Sequence, residues 1–392
     1  MKKIAFISTL EGIGGTECSL LNLLKKLPEH RYNVDLILLG KQGVLVDKVP
    51  KWINIIYVKD QTGKTYIKNA LKNGHILHAA YGIYRSLQLK LNWKKYKANT
   101  MYQYTHAMHL FENINETYDV AITWYVPNSY HTVYTLEKIK SRRKVMWIHM
   151  DVCQDYMPFD ALEIFNCYDK IYCVSTACKK SFDYKYPECA NKSEVFYNIL
   201  DDKKIIKDGN ENVNLVLDNR FKIMTCGRIA EEKQPMLAIK IAEQLLRDGI
   251  DGFVWYFIGT GALREQMQTL IMEKNLQKYI VLVGATLNPY AFVSKGDLYV
   301  QMSLHESYCL TLAEAVILGT PSISTNFPSA YEILEEGYIG YIVEKDWKSI
   351  YKKVKYLLQN KNKYEELKEN IKSYHLRSNG NINQLIQYLD EK

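Results

Sequence analysis

A chain of 392 residues is longer than one typical domain, so its length predicts two units. Hydrophobic residues make up 47% of the sequence and charged residues 24%, which is typical of a soluble globular protein and excludes extensive disorder. The net charge is +8, and no run of eighteen apolar residues occurs, so no transmembrane helix is predicted. The first apolar run, residues 4–9, is too short for a signal peptide.

The eight cysteines include no CxxC pair, and several lie inside apolar, strand-like runs. Buried free thiols in a reducing compartment have this pattern, whereas a zinc site or a disulfide framework needs tighter, repeated spacing. The cysteines therefore predict a cytoplasmic protein without a metal site.

Apolar, strand-like runs alternate with helical patterns in the first half of the chain. Strands are predicted at residues 4–9, 34–40, 119–124, 144–149 and 170–175. A helix is predicted after the first strand from the i, i+3, i+4, i+7 spacing of Leu20, Leu23, Leu24 and Leu27. This alternation predicts a parallel sheet covered by helices.

A basic, aromatic segment lies within this half. No acidic residue occurs between Asp60 and Glu112. The basic residues there are Lys64, Lys68, Lys72, Arg85, Lys90, Lys94, Lys95 and Lys97, interleaved with Tyr66, Tyr81, Tyr84, Trp93 and Tyr96. This mixture favours contact of residues 61–111 with an anionic membrane surface, and a solvated helical face is the alternative. No nucleic-acid partner is predicted, because no nucleic-acid-binding motif accompanies the charge.

A polar segment at residues 201–219 ends the first series and predicts an interdomain boundary. A second series follows, with strands predicted at 221–226, 253–258, 279–283, 297–302 and 321–325 and helices at 235–247, 262–274 and 310–318. The expected fold is α/β, with two Rossmann-like doubly wound domains facing across a cleft. The domains span 1–200 and 201–370, and a helical tail at 371–392 packs back on the first. Ligands of such sheets bind at the carboxyl ends of the strands.

Two glutamates eight positions apart, Glu306 and Glu314, span a predicted junction between a loop and a helix. A carboxylate can accept hydrogen bonds from two neighbouring hydroxyls, and the first amides of a helix attract an anion. Together these features predict a nucleotide sugar as the ligand. For Glu314 alone, the favourable position of negative charge near a helix start is an equally good explanation.

Arg228 and Lys233 flank the turn between the predicted strand 221–226 and a helix that begins at Pro235. Two cations on one loop can converge on a diphosphate and neutralise the charge that grows as a sugar–phosphate bond breaks. The alternative is a pair of surface cations matched by Glu231 and Glu232.

Two further features of the first half lie at predicted carboxyl ends of strands. Gly14 and Gly15 belong to a glycine-rich loop, where the backbone can approach a phosphate or sugar closely. This loop lacks the GxGxxG pattern of NAD-binding proteins. His149 ends the strand predicted at 144–149, and a lone histidine is more often structural than functional.

The order of these motifs resembles the family-4 retaining glycosyltransferases, which have the twin-Rossmann GT-B fold. The motifs are the glycine-rich loop, His149, Gly-Arg-x4-Lys and Glu-x7-Glu. The resemblance extends from Gly14 to about Gly340 and is most specific over residues 306–321. It implies an acceptor-side first domain and a second domain that binds the nucleotide sugar.

The resemblance also implies roles for individual residues. Glu314 would bind the ribose hydroxyls, and Glu306 would contact the donor sugar beside the reacting carbon. Arg228 and Lys233 would hold the diphosphate, and His149 would approach the transferred sugar. The remaining donor contacts implied are Gly14 and Gly15 at the phosphates, Gly284, Ala285 and Thr286 near the nucleobase, and Ser307, Tyr308, Cys309 and Leu310 at the phosphates or sugar hydroxyls. Members of this family need no divalent cation, so no cofactor is expected.

Three positions depart from the usual family pattern. Cys309 stands where glycine is frequent, and Thr260 stands where aspartate is frequent in a Gly-x-Gly turn. The stretch 329–331 also lacks the usual glycines. These departures leave the identity of the donor open.

The combined expectation is a retaining, metal-independent hexosyltransferase. It would move a hexose or N-acetylhexosamine from a UDP- or GDP-sugar to a cell-surface glycan precursor, such as one for capsule or exopolysaccharide, free or lipid-linked. It would act in the cytoplasm, at the inner face of the cell membrane. The alternatives are a catalytically silent nucleotide-sugar-binding paralogue and, with less support, a glycosidase, which needs two carboxylates but not the Arg228 and Lys233 pair.

Overall fold

The computed structural model describes residues 1–40, 43–58, 63–72, 74–91, 104–105, 107–125, 127–157, 160–213, 219–376 and 379–391. Two compact units divide the chain. The first comprises Met1–Ile199 together with Asn381–Lys392, and the second comprises Leu200–Gly380. Residues 371–380 of the predicted tail therefore belong to the second unit.

The first unit is built on a seven-stranded sheet in which each described strand pair is parallel. In chain order its elements are β1 (Lys2–Ser8), α1 (Gly15–Lys26), β2 (Tyr32–Leu39), β3 (Asn54–Val58), α2 (Gly63–Lys72), α3 (Ile76–Leu91), β4 (Thr117–Thr123), α4 (Tyr130–Lys138), β5 (Lys140–Ile148), α5 (Ala161–Asn166), β6 (Lys170–Cys173), α6 (Thr176–Lys185) and β7 (Ser193–Val195). The strand order β3-β2-β1-β4-β5-β6-β7 places β1 and β4 side by side, so the order reverses between them. This is the doubly wound arrangement predicted from the alternation.

Local sequence explains these elements. The strand β1 is buried on both faces, as expected for the centre of a parallel sheet covered by helices. Ser129 and Ser175 precede α4 and α6, and their hydroxyls accept hydrogen bonds from the amides of Thr132 and Cys178 at 3.4 and 2.9 Å. Such N-caps satisfy amides that have no partner inside the helix. They fix where each helix begins beside the carboxyl end of the preceding strand.

The second unit is built on a six-stranded parallel sheet of order β10-β9-β8-β11-β12-β13. In chain order its elements are α7 (Asp202–Gly209), β8 (Phe221–Cys226), α8 (Met236–Arg247), β9 (Phe253–Ile258), α9 (Arg264–Glu273), β10 (Ile280–Gly284), α10 (Tyr290–Val293), β11 (Leu298–Gln301), α11 (Leu310–Ile317), β12 (Ser322–Thr325), β13 (Gly340–Val343), α12 (Trp347–Gln359) and α13 (Lys361–Lys372). All six side chains of β9 are buried, so this strand lies at the centre of the core.

The polar segment 201–219, where the sequence predicts an interdomain boundary, contains the helix α7. Asp201 caps this helix by accepting from the amide of Lys204 at 3.2 Å. Ile205 and Gly209 are buried in the second unit, so the short apolar face of α7 outweighs its polar composition.

The last helix, α14 (Ile382–Asp390), packs on the first unit. Leu385 and Leu389 are buried, and the phenol of Tyr32 donates to Asp390 at 2.8 Å. Arg143 lies over the ring of Tyr388 at 4.5 Å. The apolar spacing of this helix therefore corresponds to a face buried against the sheet.

The eight cysteines are free thiols, and four of them are buried. Cys153 and Cys167 are exposed, so the expectation of buried thiols holds for only part of the set. Among the helices within the described residues, none is both long and apolar enough to cross a membrane.

Candidate functional site

The strand β8 ends in a turn that separates two cations. Gly227 has a φ of +144°, which favours glycine, and the short 3₁₀ helix Glu231–Lys233 follows. Arg228 is exposed over 74% of its side chain and pairs with Glu232 at 2.9 Å. Lys233 turns inward instead, with 21% of its side chain exposed. The alternative of a surface cation matched by a neighbouring acid on the same loop therefore holds for Arg228 but not for Lys233.

Lys233 forms an ion pair with Glu306, which lies after β11. The pair joins the two motifs that the sequence singled out independently. Burial opposes the charge of the Lys233 ammonium, but the Glu306 carboxylate outweighs that effect and raises the pKa of Lys233 above its ordinary value. Lys233 is therefore a fixed cation at neutral pH.

A buried hydrogen-bond network holds the Glu306 carboxylate. Its Oε1 atom accepts from Ser303 Oγ at 2.7 Å and from Gln301 Nε2 at 3.1 Å, in addition to Lys233. Tyr299 supports the network from below, because its phenol donates to Gln301 Oε1 at 2.8 Å. Only 12% of the Glu306 side chain is exposed, so its position is determined by these partners.

Gln301 and Ser303 were missed in the sequence. Both are polar, fully buried and placed at or just after the carboxyl end of β11. A polar residue at that end of an otherwise apolar strand is the signal that could have found Gln301. Ser303 has no comparable pattern.

The turn after β8 borders a small pocket that is open to solvent. Its lining includes Thr225, Cys226, Gly227, Arg228, Lys233 and Gln301. A buried cation beside an exposed one, at the carboxyl end of a central strand, suits an anionic ligand. The charge of this turn therefore favours an anionic ligand over a neutral one.

Cys309 occupies a backbone conformation that normally belongs to glycine. It immediately precedes α11, with φ 77° and ψ 72°, in the left-handed region. Its side chain is buried, and burial together with the Glu306 carboxylate raises the pKa of the Cys309 thiol well above its ordinary value. The loop thus keeps the backbone shape of a glycine turn, and the thiol stays neutral.

We expect Cys309→Gly to be more stable than Cys309→Ala by about 1 kcal/mol, because only glycine adopts a positive φ without strain. At ordinary positions alanine is the more stable of the two by about 0.5–1 kcal/mol. The midpoint of urea unfolding measures the difference. Cys226, which lies in β8 without a positive φ, provides the matched control. The same preference for alanine at both positions would contradict the strain argument.

Glu314 lies in the second turn of α11 and is half-buried. Its Oε1 atom accepts a hydrogen bond from the phenol of Tyr290 at 3.0 Å. Burial raises the pKa of Glu314 to about 7, and the Tyr290 hydrogen bond acts in the opposite direction. Tyr290 is the third site residue that sequence reasoning missed.

The predicted nucleobase loop begins at Gly284, which ends β10 with a φ of +98° and accepts from the amide of Gly259 at 2.8 Å. Ala285 follows it, and Thr286 Oγ1 accepts from the amide of Asn288 at 3.2 Å. The loop therefore lies at the carboxyl end of the sheet, next to Tyr290. Ser307, Tyr308, Cys309 and Leu310 lie between Glu306 and the body of α11, and the Tyr308 side chain is buried.

The predicted residues of the first unit lie at the carboxyl ends of its central strands. Gly14 precedes α1 in an extended conformation, and Gly15 is the first residue of that helix. His149 follows β5, with its ring 5.0 Å from that of Trp124. Burial lowers the pKa of His149 to about 3, so its imidazole is neutral at physiological pH.

Comparison with known proteins identifies the sequence family of the second unit. Residues 207–374 match the glycosyl transferases group 1 family. This part of the chain is therefore similar to that family. The chain spans half the length, or less, of several relatives that it matches.

Two relatives illustrate the similarity. One is the N-acetylgalactosamine-N,N'-diacetylbacillosaminyl-diphospho-undecaprenol 4-alpha-N-acetylgalactosaminyltransferase of Campylobacter jejuni, 28% identical over 40% of this chain and 41% of that protein. The other is the UDP-Gal:alpha-D-GlcNAc-diphosphoundecaprenol alpha-1,3-galactosyltransferase of Escherichia coli, 21% identical over 87% of this chain and 84% of that protein.

A solved structure extends the likeness to the whole chain. Anabaena Alr3699/HepE in complex with UDP and glucose has a TM-score of 0.69 and 16% identity, and the match covers 99% of both chains. At this identity the likeness concerns the fold alone. Together with the two parallel sheets, it confirms the predicted fold class of two Rossmann-like domains.

Proposed function

We propose that this protein is a retaining, metal-independent glycosyltransferase that uses a UDP- or GDP-sugar as donor. The observation that carries the proposal is the half-buried Lys233–Glu306 pair at the carboxyl end of β8, beside the exposed Arg228. The pair supplies a fixed cation with a carboxylate beside it, which supports a diphosphate-binding role for this turn. The family of residues 207–374 supports the same assignment.

The proposed reaction is substitution at the anomeric carbon with retention. The bond from that carbon to the diphosphate oxygen breaks, and the bond to the acceptor oxygen forms on the same face. The leaving phosphate oxygen takes the proton of the acceptor hydroxyl, so the protein supplies no nucleophile. Arg228 and Lys233 stabilise the negative charge that develops on the diphosphate.

Other residues have supporting roles in this proposal. Glu306 contacts the donor sugar, and Glu314 binds the ribose hydroxyls. Gly284, Ala285 and Thr286 border the nucleobase, while the backbone at 307–310 meets the phosphates or sugar hydroxyls. Gly14, Gly15 and the neutral His149 act from the acceptor-side unit. A neutral imidazole can approach the sugar without repelling positive charge that develops there.

The proposed acceptor is a cell-surface glycan precursor of the capsule or exopolysaccharide type, carried on a lipid. Two relatives have diphospho-undecaprenol in their names, and their acceptor class supports this choice. The transferred unit is a hexose or an N-acetylhexosamine. The enzyme would work in the cytoplasm, at the inner face of the cell membrane.

A donor screen tests the proposal. Purified protein is incubated with individual UDP- and GDP-sugars and lipid extract, and mass spectrometry follows release of UDP or GDP together with glycosylated lipid. Turnover of one donor supports the enzyme. Binding without turnover of any donor favours a silent paralogue. The absence of both binding and turnover would contradict the proposal.

The acid-free segment has apolar side chains on its surface. Among the described side chains of α2 and α3, the large apolar residues that are exposed are Leu71, Ile76, Leu77, Tyr81, Ile83, Tyr84, Leu87 and Leu91. Trp93, Lys94, Lys95, Tyr96 and Lys97 of the predicted segment lie outside the described residues. Lys68, Lys72 and Lys90 are exposed beside them, and Arg85 lies over the ring of Tyr81 at 5.4 Å. Apolar and basic groups on one helical segment suit an anionic bilayer.

We expect Leu77→Glu to weaken binding to anionic vesicles roughly tenfold, because it removes apolar contact and adds a charge that anionic lipid repels. Leu77 is 86% exposed, so the change should leave the fold intact. Sedimentation with phosphatidylglycerol vesicles measures binding, and phosphatidylcholine vesicles serve as the lipid control. Met272→Glu, in α9 of the second unit, is the matched protein control. Binding that is indifferent to lipid charge and to salt would contradict the membrane proposal.

A further inference from the structure

The phenol of Tyr290 and the carboxylate of Glu314 connect two elements of the second unit. Tyr290 is the first residue of α10, directly after the loop that begins at Gly284. Glu314 lies on α11, and the hydrogen bond between them is 3.0 Å long. The contact therefore joins the predicted nucleobase loop to the predicted ribose ligand.

The helix α7 supports both partners. Ser294, just after α10, donates to the carbonyl of Gly209 at 2.6 Å, and Asn288 donates to the carbonyl of Asp208 at 2.9 Å. Gly209 also packs against α11, since a Cβ there would lie 2.6 Å from Leu318 Cδ2. Because α7 is in contact with α10 and α11 together, the position of Tyr290 relative to Glu314 is fixed by packing.

Among the described residues around Glu314, Tyr290 is the titratable side chain that contacts its carboxylate. Of the elements packed against α11, β12 has no titratable side chain, and Tyr299 of β11 donates to Gln301. On α7, Lys204 pairs with Asp208, and the other charged side chains of this helix are exposed. Burial disfavours the charged carboxylate, and the Tyr290 hydrogen bond favours it.

We propose that Tyr290 is a positioning residue whose phenol fixes the Glu314 carboxylate for the vicinal hydroxyls of the donor ribose. This inference rests on the proposed function. The phenol occupies one site on Oε1, and no other hydrogen bond to this carboxylate occurs within the described residues. The remaining acceptor sites, including Oε2, are available to the two ribose hydroxyls. The base is not involved, so the role is the same for UDP- and GDP-sugars.

The proposal predicts a specific dependence on pH. A protonated Glu314 loses acceptor sites, so donor affinity falls as pH drops through its pKa of about 7. The Tyr290 hydrogen bond stabilises the charged form, so its removal moves this inflection to higher pH. A UDP-sugar has no phosphate that titrates in this range, which makes it a better probe than UDP.

Titration calorimetry of Tyr290→Phe with UDP-glucose and GDP-mannose, from pH 6 to 9, tests the inference. We expect roughly tenfold weaker binding at pH 7 for the variant and recovery at higher pH. With 2′-deoxy-UDP-glucose the penalty should shrink to less than roughly threefold, because one of the two hydroxyls is already missing. Tyr364→Phe is the matched control, since that phenol donates to Asp297 at 3.3 Å within the same unit.

The outcomes separate the two proposals. If the wild-type chain binds none of the UDP- and GDP-sugars of the donor screen, the proposed function fails, and this inference fails with it. If the wild type binds but Tyr290→Phe binds equally well with an unshifted inflection, the inference alone is overturned. An equal loss of affinity for UDP-glucose and its 2′-deoxy analogue would also overturn it. The phenol would then act on something other than the contact of Glu314 with the ribose hydroxyls.

Discussion

Lys233→Met is expected to lower the rate of sugar transfer by roughly 10²- to 10³-fold, because it removes a fixed cation from the leaving diphosphate. Methionine has a similar length and no charge, so the shape of the turn is kept. The loss should appear mainly in kcat, since the charge on the leaving group grows toward the transition state. Steady-state kinetics with the donor found in the screen measures the effect.

Lys233→Met also leaves the Glu306 carboxylate without its cation, at a cost of about 3 kcal/mol in the free energy of unfolding. Lys233→Arg retains the charge and is expected to recover part of the rate. Lys274→Met is the matched control, because it breaks an exposed pair with Glu243 of 2.9 Å. That change should cost less than about 1 kcal/mol and leave the kinetics unchanged. A folded Lys233→Met protein with wild-type kcat would contradict the diphosphate role.

The bounds of β8 and β9 could be predicted closely, because each strand is a short, mainly apolar run with clear ends in the sequence. The predicted bounds 221–226 and 253–258 coincide with β8 and β9, which are apolar runs between polar or glycine-containing segments. The strands β3, β7 and β13 were not predicted. The first alternates incompletely between buried and exposed, and the second has only three residues. Edge strands depend on pairing with a neighbour, which a local pattern does not encode.

The site was predicted as two separate motifs, and its connections required the fold. Spacing along the chain singled out Lys233 and Glu306, but it did not indicate that they form an ion pair. Gln301 and Tyr290 contribute through hydrogen bonds to residues 5 and 24 positions away. The Lys233–Glu306 contact arises because β8 and β11 are neighbours in the sheet. Polar composition likewise concealed α7, whose short apolar face is stabilised only by packing in the second unit.

Glu306→Gln is expected to lower kcat by roughly 10- to 100-fold while the protein stays folded, because the amide preserves the shape of the carboxylate but not its charge. Its carbonyl oxygen can still accept from Ser303 and Gln301, as Glu306 Oε1 does at 2.7 and 3.1 Å. The NH2 group of the amide then replaces Oε2. A hydrogen-bond donor would therefore face the sugar where the wild type has a hydrogen-bond acceptor. Steady-state kinetics measures kcat, and circular dichroism checks the fold.

The double variant Lys233→Met with Glu306→Gln tests whether the two residues act together or contribute independently to catalysis. Residues that share one ion pair have non-additive effects. In the single Lys233→Met protein the carboxylate remains charged and repels the diphosphate, whereas in the double variant that repulsion is absent. We therefore expect the double variant to lose less activity than the product of the two single losses. A loss equal to that product would contradict coupling between Lys233 and Glu306, and would leave contact with the donor sugar as the role of Glu306.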